Sequence, residues 1–186
     1  MAKRNFIKQF LKDKKMVGAV TPSTRFLGEK MLENIDFKTA KLIIELGPGT
    51  GVFTDVIIER MMEDATLIVF ELNDNFYDAL NTRIKDPRVK VVHDSAEFVQ
   101  KYMNEIEENL KADVIVSSLP LMVFPEDLRK NVVDASYNAL KNKGKYIQFQ
   151  YSLQSKKLLE SLYPSVSVRF TVKNFPPAFV YTCVKS

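Results

Sequence analysis

Residues 43–51 read IIELGPGTG, an apolar run closing on three alternate glycines, Gly47, Gly49 and Gly51. An unbroken run of Ile and Leu is the pattern of a strand buried on both faces. The glycines let the chain turn sharply and bring backbone N–H groups and a helix N-terminus close to a ligand. The segment FTDVIIERMMED (53–64) follows with the apolar spacing of an amphipathic helix. Strand, glycine turn and helix together form the opening unit of an α/β domain. A dinucleotide fingerprint needs a third glycine at position 52, where this chain has Val52. With Pro48 inside the turn, a compact nucleoside site fits better than a pyrophosphate cradle.

The same alternation continues outward. TLIVFEL (66–72), VKVVHDS (89–95), DVIVSSLP (113–120) and KYIQFQY (145–151) predict further buried strands. Between them NDNFYDALNTRIK (73–85), AEFVQKYMNEIEENLK (96–111) and PEDLRKNVVDASYNALKN (125–142) predict amphipathic helices. Two last runs, VSVRFTVKN (166–174) and AFVYTCVKS (178–186), are so close that they predict an antiparallel pair at the sheet edge. The expected architecture is a doubly wound, Rossmann-like α/β fold. Its seven-stranded, mostly parallel sheet ends in an antiparallel hairpin, with helices on both faces. One domain over 1–186 is expected, with residues 1–36 a helical extension that the sheet does not need.

Composition narrows the function classes. At 186 residues, 46% hydrophobic and 27% charged, the chain can bury a core. No apolar run reaches the ~18 residues of a membrane span, and the start MAKRNFIK does not look like a signal peptide. The lone Cys183 excludes an internal disulfide, and no Cys/His spacing suggests zinc, so no metal is expected. Residues 1–15 carry Lys3, Arg4, Lys8, Lys12, Lys14 and Lys15 against Asp13, a balance of +5. The remainder therefore carries −1 of the net +4. Basicity belongs to one segment, which predicts a contact made there.

Glu45-Leu46-Gly47-Pro48-Gly49-Thr50-Gly51 resembles the first motif of class I S-adenosylmethionine-dependent methyltransferases. The resemblance implies that Glu45, Gly47, Gly49, Thr50 and Gly51 face the methionine part of that cofactor, with S-adenosyl-L-homocysteine as product. Glu71, with Leu72 beside it, falls where the family places its ribose-binding carboxylate, and two hydroxyls suit an ionised carboxylate. Asp94 is then the acceptor for the adenine amine, with Ser95 and Ala96 along the ring. Ser117 closes the cofactor set on the fourth strand. His93 has no nameable partner and reads as structural.

The fourth strand end bears on the methyl acceptor. Methyltransferases acting on base amines, including ribosomal RNA adenine dimethyltransferases, carry Asn/Asp-Pro-Pro-Tyr or Asn-Leu-Pro-Tyr there; this chain has Ser118-Leu119-Pro120-Leu121. A hydroxyl replaces the amide, and Leu121 replaces the aromatic on which a base would stack, worth roughly 1–3 kcal/mol. SSLPLMVFP (117–125), VGAVTPSTRFLGEKML (17–32) and NFPPAFVY (174–181) resemble instead the bacterial phospholipid N-methyltransferases, which convert phosphatidylethanolamine to phosphatidylcholine. The ribosomal enzymes also continue into a helical RNA-binding domain for which no counterpart is expected here. Ser117 departs from the glycine expected before Ser-Leu-Pro.

That resemblance implies a ledge of Ser118, Leu119, Pro120, Leu121 and Phe124 for the lipid, with Ser118 orienting the amine. Tyr181, and more weakly Tyr151, are candidates for contacting the headgroup or relaying a proton. Pro22 and Ser23 are expected to line the cofactor pocket. As a helix, residues 3–15 would set Phe6, Ile7, Phe10 and Leu11 on one face and a stripe of Arg4, Lys8, Lys12 and Lys15 on the other, with Lys3 also among the membrane contacts. Such a helix suits an anionic membrane surface. A peripheral protein on the inner face of the cell membrane is therefore expected, without an obligate protein partner. RNA adenine methylation is the second choice, and a cofactor-binding module without turnover the third.

Overall fold

A computed structural model of the chain describes residues 25–171 and 177–186. Seven strands form one sheet among these residues: β1 (Leu42–Leu46), β2 (Thr66–Phe70), β3 (Val89–Val92), β4 (Ala112–Ser117), β5 (Leu140–Gln150), β6 (Ser165–Thr171) and β7 (Ala178–Val184). Their spatial order is β3-β2-β1-β4-β5-β7-β6. The first five run parallel, and β7 inserts antiparallel between β5 and β6, as the closing pair of runs predicts. The strand order reverses between β1 and β4, the point at which open α/β sheets leave a crevice at their C-terminal edge.

Side-chain alternation on the central strands sorts the core into two layers. Leu42, Ile44, Leu46, Ile68, Phe70 and Ile115 face α4 (Val99–Asn104), α5 (Glu126–Ala139) and α6 (Lys156–Glu160). Ile43, Leu67, Val69, Val114 and Val116 face α1 (Arg25–Leu32) and α2 (Val52–Arg60). Beside β3 lies α3 (Asp74–Arg83), capped by Asn73, whose side chain accepts from the N–H groups of Asn75 and Phe76.

Several predicted boundaries shift. The helix expected over 96–111 is a 3-10 turn at Ala96–Phe98 followed by α4, which stops at Asn104. Glu105, Glu107 and Glu108 there oppose the helix dipole, and Asn109 takes a positive φ of 62°. The helix expected to reach 142 ends at Ala139, and β5 begins at Leu140 through a register shift with Lys143 at φ 62°. Only Val92 of β3 is buried, because β3 is an edge strand. The short helix α6 between β5 and β6 was not anticipated.

Candidate active site

Backbone register brings the functional segments to one line. Ser117, Leu46, Phe70 and Val92 are the last paired positions of β4, β1, β2 and β3, and they lie side by side. The hydrogen bonds continue one step further: Ser118 N donates to Leu46 O at 2.9 Å, Gly47 N to Phe70 O at 2.9 Å, and Glu71 N to Val92 O at 3.0 Å. The glycine turn, Glu71 and the acceptor loop thus leave the sheet together.

Gly47, Gly49 and Gly51 all take positive φ, at 68°, 57° and 84°. Their surroundings differ. A Cβ on Gly51 would strike Arg83 and Leu80, and one on Gly47 would lie 2.5 Å from Leu119 Cδ2, so the turn and the acceptor loop touch. A Cβ on Gly49 would meet nothing within 4 Å. The turn is therefore packed at both ends and open in the middle. Arg83 braces its outside, pairing with Asp55 at 2.5 Å and donating to the Thr50 carbonyl at 3.4 Å.

Each acid is held differently. Glu45, on the α2 face of the sheet, is fully buried; its Oε2 accepts from Thr54 Oγ1 at 2.7 Å, while Oε1 is buried without a partner. Burial pushes its carboxyl up to about 8. Glu71 accepts from Gly49 N at 3.1 Å and Asn73 N at 2.8 Å, tying the end of β2 to the open glycine. Its pKa is also raised, again by burial. Asp94 accepts from Ser95 N at 2.8 Å and from the Tyr102 hydroxyl at 2.9 Å. Leu72 and Ala96 lie in the core layer under these strand ends, and Ser95 caps the following turn. His93 stacks on Tyr77 at 4.3 Å, with Nε2 3.1 Å from Asp74, so it is part of the wall.

The acceptor loop is differently built. Gln148 and Gln150, alternate residues of β5, both aim an amide at the Leu119 carbonyl, at 3.0 and 2.9 Å. The Tyr146 hydroxyl donates to Gln148 Oε1 at 2.7 Å and fixes which way that amide points. The Ser118 hydroxyl is buried without a partner. Ser117 Oγ accepts from Leu119 N at 3.4 Å and also engages Tyr146, so it is committed to the α5 side of the sheet.

Two expectations are corrected here. Leu121 is wholly buried and Phe124 nearly so, both in the core layer; Pro120 opens the 3-10 turn Leu121–Val123, which rotates them inward and leaves Val123 exposed. Tyr181 is also wholly buried, and its hydroxyl donates to the Ser152 carbonyl at 3.1 Å. It shares a face with Gln148 across the β5–β7 ladder, whereas Tyr151 packs on Phe149 in the opposite layer. The two tyrosines cannot flank one group from the same side. Pro22, Ser23 and the basic segment 3–15 lie outside the described residues. Sequence reasoning missed Gln148, Gln150, Tyr102 and Thr54. The first two left a signal, paired polar residues at period two within an apolar strand.

The ribosomal RNA adenine dimethylase family matches residues 1–149. This chain belongs to that family. It is 28% identical to the ornithine lipid N-methyltransferase of Singulisphaera acidiphila over 96% of this chain and 93% of that one. It is 30% identical to the ribosomal RNA small subunit methyltransferase A of Borreliella afzelii over 67% of this chain, but spans 43% of that protein's length. The fold matches the T. thermophilus 16S rRNA N2 G1207 methyltransferase in complex with AdoMet and guanosine, with a TM-score of 0.66 at 18% identity over 90% of this chain and 44% of that one. It also matches the N-methyltransferase NodS of Bradyrhizobium japonicum in complex with S-adenosyl-L-homocysteine, with a TM-score of 0.67 at 10% identity over 89% of each.

The chain is a class I S-adenosylmethionine-dependent methyltransferase with the Rossmann-like fold of that class. The residues present fit the cofactor. Glu45 Oε1 is an orphaned acceptor of the kind an ammonium satisfies, and Gly49 leaves open space above a backbone N–H. When bound, S-adenosylmethionine supplies an electrophilic methyl group. Among the described residues, no helix is long and apolar enough to cross a membrane.

Proposed function

We propose that this enzyme methylates the amine of a lipid headgroup at a membrane surface, with phosphatidylethanolamine the first acceptor to test and ornithine lipid the second. The acceptor loop carries this reading. Ser118 offers an unpartnered hydroxyl beside the Leu119 backbone, and no aromatic ring follows it to stack a base. A lipid amine needs a hydrogen-bond acceptor and an apolar surround but no stacking plane. The likeness to the ornithine lipid enzyme over nearly the whole chain supports the same reading.

In this reading Glu45 takes the cofactor's amino group, Glu71 its ribose, and Asp94 its adenine. Ser118 accepts from the substrate amine and aims its lone pair. A primary ammonium titrates near 10.4 in water, about the lysine value, and must shed a proton before attack. An apolar, positively charged setting favours the neutral amine, so no dedicated strong base is required. The basic segment 3–15 holds the enzyme to anionic lipid.

Ribosomal RNA adenine methylation is the second reading, favoured by the family match over residues 1–149. Labelled methyl transfer to vesicles containing phosphatidylethanolamine or ornithine lipid, with small-subunit RNA in parallel, separates the two. Label in lipid supports the proposal; label in RNA alone overturns it.

A further inference from the structure

A cleft of about 260 Å³ lies just past the acceptor loop, at the C-terminal edge of the sheet. Met122, from the 3-10 turn after β4, forms one wall with Arg129 and Lys130 of α5; Lys157 and Leu158 of α6 form the other. Lys130 is paired with Asp134, but Arg129 and Lys157 have no carboxylate partner among the described residues. The Arg129 guanidinium rests on the Met122 sulfur at 3.6 Å, a weak acceptor that a phosphate would readily replace. Glu126 also lines the cleft, in the first turn of α5, where the helix dipole favours it. The net charge of the cleft stays positive.

Exposed aliphatic residues neighbour the cleft residues along the chain. Val123 adjoins Met122 and is 41% exposed; Leu153 precedes the cleft residue Gln154 and is 48% exposed. Unpaired cations flanked by exposed aliphatic side chains make up the composition of surfaces that sit at a bilayer interface, cations at the phosphates and aliphatics below them. A water-facing anion site would have no use for these aliphatic neighbours.

We propose that this cleft docks the phosphate of an anionic phospholipid in the bilayer, so that the catalytic domain itself, and not only the basic segment 3–15, faces the membrane. This rests on the lipid reading of the acceptor loop. Because the cleft and that loop leave the same sheet edge, docking turns the loop toward the headgroup layer.

The test uses the full chain and sedimentation with vesicles of phosphatidylglycerol and phosphatidylcholine, against pure phosphatidylcholine. The R129A/K157A double variant should partition onto the anionic vesicles about thirtyfold less tightly, since each basic group contributes roughly 1 kcal/mol near such a surface. The K38A/K85A variant removes the same charge at the opposite end of the sheet and should lose no more than about twofold. An unchanged midpoint of thermal unfolding shows that both variants fold. Equal binding by R129A/K157A and the unaltered chain, an equal loss in K38A/K85A, or a loss seen with RNA and not with vesicles would each overturn the docking site. Methyl transfer by the unaltered chain to phosphatidylethanolamine in non-ionic micelles is scored separately. Its failure would remove the lipid acceptor, whereas unchanged vesicle binding beside successful transfer would remove only the cleft.

Discussion

The ends of β1, β2 and β3 carry a carboxylate each, while the ends of β4 and β5 carry none. On the first side Glu45, Glu71 and Asp94 are buried acids; Glu71 and Asp94 accept from backbone N–H groups, and Glu71 ties to Gly49, the open middle of the glycine turn. On the second side are hydroxyls and amides: Gln148 and Gln150 donate to the Leu119 carbonyl, Ser117 Oγ accepts from Leu119 N, and the Ser118 hydroxyl is unpartnered. Charge suits a ligand with an ammonium and two vicinal hydroxyls. Neutral acceptors suit a nitrogen that must arrive uncharged, because a carboxylate beside it would hold its proton. In the proposed reading one half of the crevice grips the cofactor and the other positions the acceptor without ionising.

The largest effect should come from breaking the charged half. Glu71→Ala strips the acceptor from Gly49 N and Asn73 N and should weaken S-adenosylmethionine binding about 100-fold by calorimetry, in line with about 1.5–3 kcal/mol per hydrogen bond to a charged group. A change confined to the acceptor's KM would collapse the distinction between the halves. Next is Leu121→Ala. If that side chain is core and not ledge, the variant should lose about 2–4 kcal/mol of stability in denaturant unfolding; a KM effect at full stability would restore the ledge.

The buried Glu45 sharpens the comparison through pH. Its folded pKa of about 8 lies above its ordinary 4.5, so between these values the folded chain keeps a proton that the unfolded chain releases. Stability from this group is complete below pH 4.5 and declines as pH rises toward 8, by at most about 1.4 kcal/mol per unit. Glu45→Gln should flatten that slope. In the unaltered chain cofactor affinity should rise with pH over the upper part of the same window, because the ionised carboxylate is the better acceptor for an ammonium.

Smaller again is Gln150→Leu. Gln148 still serves the Leu119 carbonyl, so a loss of about 1 kcal/mol in stability is expected, with a severalfold rise in acceptor KM and cofactor affinity within about twofold. The smallest effect belongs to Arg83→Ala. That pair with Asp55 is nearly half exposed on both sides and should contribute under about 0.5 kcal/mol in thermal unfolding.

The charged half was legible from the sequence because its acids sit at fixed places on a strand–turn–helix repeat: Glu45 before the glycines, Glu71 and Asp94 at the next two strand ends. Period and spacing put them at strand ends, and the resemblance to class I methyltransferases is what assigned them to the cofactor. The neutral half was less legible. SSLPL marks a departure from a base-stacking loop, but only the 3-10 turn decides that Leu121 and Phe124 point inward. The role of Gln148 and Gln150 depends on β5 lying beside β4, a pairing between segments about thirty residues apart in the chain. Tyr181 looked functional because it follows a proline-rich segment. The antiparallel insertion of β7 between β5 and β6 is what buries it.

That insertion also decides the fate of Cys183, the chain's one thiol. It lies on β7, paired with Tyr146 on one side and Val166 on the other, fully buried, and burial pushes its pKa up to about 12. An alkylating reagent can reach it only when the last strands part. The rate of Cys183 modification is therefore a native clock for that opening, readable by mass spectrometry with no engineered label, and bound cofactor would slow it only insofar as closing the crevice also stiffens the far edge of the sheet.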